Sequence, residues 1–135
     1  IEYGKAEWIA KGEDIAILAE GHMLDAAYGA VERLRAEGKN PSLVNIRFIR
    51  PLDGEILRAV AENCSHIFTV EDNVRDGGFG SAVLEFYSDH DIAANVKNLA
   101  FPDEYIEQGT QAQLFAKYGL DAEGIYQSIK KTLGE

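Results

Sequence analysis

The chain has 135 residues, 46% of them hydrophobic and 27% charged, and its 23 acidic against 13 basic residues give a net charge of −10. That balance argues against a phosphate-backbone partner, because no basic stripe exists to neutralise one. The length is enough to bury one core unaided, and the single cysteine, Cys64, excludes an internal disulfide framework and fits a reducing compartment such as the cytoplasm.

Residues 5–9 alternate polar and apolar, as an edge strand does, and Lys11-Gly12-Glu13-Asp14 turns the chain. Ile15-Ala16-Ile17-Leu18-Ala19 is apolar throughout, which suits a central strand covered on both faces and ended by Glu20-Gly21-His22. A helix follows to about residue 37, with Leu24, Ala27, Val31 and Leu34 on one face and Gly38 as its stop. Residues 43–48 alternate, with Val44, Ile46 and Phe48 sharing a side, so this strand reads as more peripheral. Asp53 is a good N-cap for the next helix, and Leu52 is placed to pack on Leu57 as a hydrophobic staple. That helix carries Ile56, Leu57 and Val60 and ends near residue 63.

Ile67-Phe68-Thr69-Val70 reads as a short buried strand, with Glu71 and Asp72 where it should end. A polar loop runs into Gly77-Gly78-Phe79-Gly80, and a helix is expected from Ser81 to about residue 90. Residues 95–101 form a last strand, stopped by Pro102. Thr110 and Gln113 fit a capping box for a short helix broken at Gly119. Asp121 caps a final helix with Ile125, Ile129 and Leu133 on one face. The alternation of strands and helices implies one α/β domain over residues 1–135, a mostly parallel sheet with helices on both faces.

No apolar run approaches the ~20 residues of a membrane span, and no signal peptide is visible. The chain opens at Ile1 and ends just after a helix, so it is expected to be part of a longer protein.

The stretch from 66 to 87 is the candidate site, because ligands and partners gather where a strand of an α/β sheet hands over to a helix. Gly78-Phe79-Gly80 resembles the start of a dinucleotide fingerprint, but Val83 stands at the third glycine position, and nicotinamide binding is rejected. A P-loop is absent. Two readings of the glycines remain. One is a tight crossover that requires positive φ; the other is a helix N-terminus presenting amides to an anion or a neighbouring domain. His22, Glu71, Asp72, Gly77, Gly78, Phe79, Gly80 and Ser81 make up this candidate docking or anion loop.

Glu71 and Asp72 do not read as an acid/base pair, since adjacent strand residues point to opposite faces. Solvation in the loop, or hydrogen bonding to the glycine-rich amides, is the role expected of them. His22 sits at a strand end and reads as an exposed loop histidine. His66 precedes a strand, and His90 closes a helix, where a cation suits the dipole. Three scattered histidines and one cysteine do not make a metal set, and no nucleophile has supporting context. No catalytic, cofactor-binding or metal-binding residue is assigned.

Blocks in order along nearly the whole chain resemble the C-terminal domain of the thiamine-diphosphate transketolase family. They are Gly12-Glu13-Asp14-Ile15-Ala16-Ile17-Leu18-Ala19 with Gly21, Arg47-Phe48-Ile49-Arg50-Pro51-Leu52-Asp53, and Val70-Glu71-Asp72-Asn73. Gly77-Gly78-Phe79-Gly80-Ser81-Ala82-Val83 and Pro102-Asp103-Glu104-Tyr105-Ile106-Glu107-Gln108-Gly109 follow. The last block favours the deoxyxylulose-phosphate synthase branch, with His22 and Gln108 standing where that branch more commonly has Ser and His. The resemblance implies a three-layer α/β/α domain with five strands in the order 1-3-2-4-5, the first antiparallel. It places the ends at 20–22 and 71–80 side by side.

The resemblance further implies a domain of a larger cytoplasmic enzyme that condenses pyruvate with D-glyceraldehyde 3-phosphate, with thiamine diphosphate and Mg²⁺ held by other domains. This domain would pack against those domains and support a homodimer, inert by itself. A split transketolase, a 2-oxoacid dehydrogenase β subunit and a small-anion-binding module remain as alternatives.

Overall fold

The computed structural model describes residues 4–47, 51–74, 78–101 and 110–135. Five strands form one sheet: β1 (Glu7–Ala10), β2 (Asp14–Glu20), β3 (Ser42–Ile46), β4 (Cys64–Val74) and β5 (Val96–Phe101). Their order is β1-β3-β2-β4-β5, with β1 antiparallel to β3 and the other pairs parallel. Among the described residues five α-helices flank the sheet: α1 (Leu24–Ala36), α2 (Gly54–Asn63), α3 (Phe79–Asp89), α4 (Gln111–Lys117) and α5 (Ala122–Thr132). The expected order and the antiparallel first strand are both observed.

The period-2 geometry of a strand divides each central strand between two apolar clusters. Ile15, Ile17 and Ala19 of β2, with Phe68 and Val70 of β4, face α1 and α5, where Ala27, Val31, Leu34, Ile125 and Ile129 meet them. Ala16 and Leu18, with Ile67, face Leu57 and Val60 of α2 and Phe79, Val83 and Tyr87 of α3. The continuous apolar run of β2 thus serves two layers at once. Strand β3 lies one place nearer the sheet edge than β2, as its alternation suggests. Val44 and Ile46 join the α2–α3 side, while Leu43 is fully buried on the other. Phe48, expected on the first of these sides, lies outside the described residues, as do Pro102 and the block from 103 to 109.

Local signals set the helix ends. Gly38, just beyond α1, takes φ of +90°, a left-handed value that stops a helix without a Cβ clash. Leu52 packs against the cluster that contains Leu57. Thr110 and Gln113 form the reciprocal capping box of α4, and the Asp121 carboxylate caps α5 by accepting from Gly124 N at 2.8 Å.

Asp53 does more than cap. Its buried carboxylate accepts from Ile56 N at 3.2 Å and from Ala6 N at 2.9 Å, so it also ties the entry of β1 to α2. Asp53→Ala is therefore expected to cost about 2 kcal/mol, the upper end for a lost cap, because a second amide is orphaned. Urea melts of the two proteins check this value.

Candidate functional site

β4 runs for 11 residues, well past the four apolar ones that announce it, and carries Glu71 and Asp72 inside the strand. The strand continues because Glu71 is not a solvated loop residue. It is fully buried, and its carboxylate accepts from Phe79 N at 3.0 Å and from Gly80 N at 2.8 Å. These are first-turn amides of α3, which otherwise has no side-chain cap from its own N-cap residue, Gly78. A negative charge against the positive end of the helix dipole stabilises the junction. Of the two roles expected for Glu71, bonding to the glycine-rich amides is the one the structure places there.

The glycines follow from this carboxylate. Gly78 has φ of −84°, an ordinary value, so positive φ is not what the position needs. Space is. A Cβ on Gly78 would overlap the Glu71 carboxylate, and one on Gly80 would lie 2.8 Å from Asn98 Cγ and 2.9 Å from Glu71 Oε2. Phe79, fully buried, begins α3 two residues earlier than expected and anchors it to the α2–α3 core. Ser81 sits half-buried in the first turn, and Gly77 lies outside the described residues.

Thr69 and Asn98 extend the polar seam. The Thr69 hydroxyl donates to Asn98 Oδ1 at 2.6 Å, so the side chain beside Gly80 is itself held by β4. The sequence signal for this pair is register alone: Thr69 and Asn98 are partners across β4 and β5.

Asp72 points away from the α3 cap and meets His22. The two strand ends lie together, since Ala19 pairs with Val70, and His22 Nδ1 sits 3.1 Å from Asp72 Oδ2. His22 belongs to a 3-10 turn, Gly21–Met23, that leads from β2 into α1. Its hydrogen bond to Asp72, then the Asp72 charge, raise the imidazole above its ordinary range. Glu20, which sequence reasoning passed over, completes the group. Burial first, then contact with Asp72, raise its carboxyl above the usual carboxylate range. The signal that would have found it is its position two residues before His22 at the end of a central strand.

The site thus splits in two. Glu71 with Gly78, Phe79 and Gly80 is a closed cap, and Glu20, His22 and Asp72 are a half-open polar cluster. His90 belongs to neither: it closes α3, its Nδ1 lies 2.8 Å from Phe86 O, and its ring stacks on Phe86. His66 pairs locally with the Ser65 hydroxyl at 3.2 Å. Cys64 is buried at the junction of α2 and β4, where desolvation raises its thiol.

Residues 4–125 match the family model described as "Transketolase, C-terminal domain". A 1-deoxy-D-xylulose-5-phosphate synthase of Syntrophotalea carbinolica is 47% identical over 127 residues, 94% of this chain and 20% of that protein. One from Aquifex aeolicus is 44% identical over 133 residues, 98% of this chain and 21% of that protein. The chain spans about a fifth of the length of these relatives. Among solved structures, a split-gene transketolase in an inactive beta4 tetramer superposes with a TM-score of 0.87 at 30% identity, covering 99% of this chain and 43% of that one. A transketolase from Pichia stipitis, at 17% identity over 97% of this chain and 18% of its own, shares the fold with a TM-score of 0.73. The strand order, the capped glycine crossover and these matches agree: the chain belongs to the transketolase C-terminal domain family.

Proposed function

We propose that this chain is the C-terminal domain of a 1-deoxy-D-xylulose-5-phosphate synthase, a structural domain of a thiamine-diphosphate enzyme. The observation that carries this reading is identity of 47% and 44% over nearly the whole chain to relatives of that name, of which it spans about a fifth. The complete protein would condense pyruvate with D-glyceraldehyde 3-phosphate and release carbon dioxide, supplying a precursor for isoprenoids, thiamine and pyridoxal. It would work in the cytoplasm as a homodimer. No helix among the described residues is long and apolar enough to cross a membrane.

Thiamine diphosphate would supply the carbanion chemistry when bound to the complete enzyme. The described residues of this domain do not fit its diphosphate. The two first-turn amides of α3 that would greet an anion already donate to Glu71. A small-anion module is disfavoured for the same reason. What this chain contributes is shape: a rigid strand-to-helix crossover, held by a buried carboxylate, from which the domain packs against the rest of its chain and a second subunit.

The test compares the full-length protein with the 135-residue chain in a pyruvate-plus-glyceraldehyde-3-phosphate assay that follows carbon dioxide release. The full-length protein is expected to turn over and the 135-residue chain to be inert. Turnover by the short chain refutes the structural role. Ketol transfer between xylulose 5-phosphate and ribose 5-phosphate, without decarboxylation of pyruvate, would reassign the protein to transketolase proper.

A further inference from the structure

The ends of β2 and β4 bring together three side chains of metal-ligating type outside the Glu71 cap. Glu20 closes β2, His22 lies in the turn that follows, and Asp72 is the residue after Glu71 on β4. One ligand atom from each lies within 4.8 Å of the other two. His22 Nδ1 and Asp72 Oδ2, 3.1 Å apart, are already near the roughly 3.4 Å that separates donors around a tetrahedral ion with ~2.1 Å bonds.

A separate observation concerns Glu20 itself. Its Oε2 is shut off from solvent and receives no hydrogen bond, an unusual state for a carboxylate oxygen. The nearest charges that act on it are Asp72, which repels it, and His22, which attracts it. Of the charges acting on Glu20, His22 is the cation, and it already bonds to Asp72. A dication between the three would neutralise the repulsion between the two carboxylates.

We propose that Glu20, His22 and Asp72 form a binding site for a divalent transition-metal ion of the Zn²⁺ kind, bridging the ends of β2 and β4. One imidazole nitrogen with two carboxylate oxygens suits Zn²⁺, whereas Mg²⁺ and Ca²⁺ prefer all-oxygen sets. The His22 side chain is 81% exposed, so a bound ion would keep access to solvent. The site is independent of thiamine chemistry and rests on this chain's own residues.

Calorimetric titration of the 135-residue chain with Zn²⁺ at about pH 7.5 tests it, with circular dichroism confirming that each variant is folded. One equivalent is expected to bind with a Kd on the order of micromolar, and the melting temperature to rise with added Zn²⁺. His22→Ala and Asp72→Asn should each weaken binding at least about tenfold, Glu20→Gln should weaken it too, and His90→Ala should leave it unchanged. Because the ion must displace a proton from a His22 imidazole held above its usual range, affinity should fall steeply towards about pH 5.5. Absence of heat up to about 1 mM Zn²⁺, or stoichiometric binding that survives His22→Ala, overturns the assignment; competition by millimolar Mg²⁺ at equal affinity does so as well.

Discussion

Glu71→Gln is expected to destabilise the domain by about 2–4 kcal/mol, a large share of the ~5–15 kcal/mol that holds a domain of this size. The change is isosteric, so packing is nearly kept. What changes is the electrostatics of two hydrogen bonds. The carboxylate accepts from Phe79 N and Gly80 N with both oxygens, in a position cut off from water. Glutamine offers one oxygen and one NH₂, and the NH₂ must face an amide that also donates. One first-turn amide of α3 is then buried without an acceptor, and the favourable charge at the helix N-terminus is gone. Glu71→Ala should cost more, since both amides lose their acceptor and a cavity opens. Urea denaturation followed by circular dichroism measures both. A loss below about 0.5 kcal/mol for Glu71→Gln would mean that the cap is not what holds α3.

Most of the architecture was legible because each strand obeys a simple local rule. The unbroken apolar run at 15–19 announced a strand covered on two faces, and the two clusters divide it residue by residue. Asp53, Thr110 and Asp121 are caps whose chemistry is written within three residues of sequence, and all three cap as expected. The site was harder to read because its contacts are long-range. The sequence offered Glu71 two roles, solvation in the loop or hydrogen bonding to the glycine-rich amides, and only the folded crossover selects the second. The glycines read as turn residues when the cause is a carboxylate pressed against them. The ends at 20–22 and 71–80 were expected side by side, but Glu20 was not singled out there, because its burial against Asp72 exists only once β2 pairs with β4. Strand β3, by contrast, was legible: its alternation marked it as more peripheral than β2, and it stands one place nearer the sheet edge.

Gly78→Ala separates the two explanations of a glycine, backbone freedom and lack of room. At φ of −84° and ψ of −175° alanine is fully allowed, so no backbone strain arises. By itself the substitution would even restrict the unfolded chain and favour folding by about 0.4–1 kcal/mol. The observed effect should nevertheless be a loss of about 3 kcal/mol, because the new Cβ overlaps the Glu71 carboxylate and must push it off the α3 amides. Gly21→Ala is the control: a Cβ there meets nothing within 4 Å, and little change is expected. The decisive measurement is a double-mutant cycle. With Glu71→Ala in the background, the obstruction is gone, and Gly78→Ala should become neutral or mildly stabilising. The two residues would then show a coupling of at least about 2 kcal/mol, large for a glycine with no side chain of its own. Strict additivity would instead place the need for glycine in the chain's conformation. The tie between the buried carboxylate and the glycine crossover would then fail.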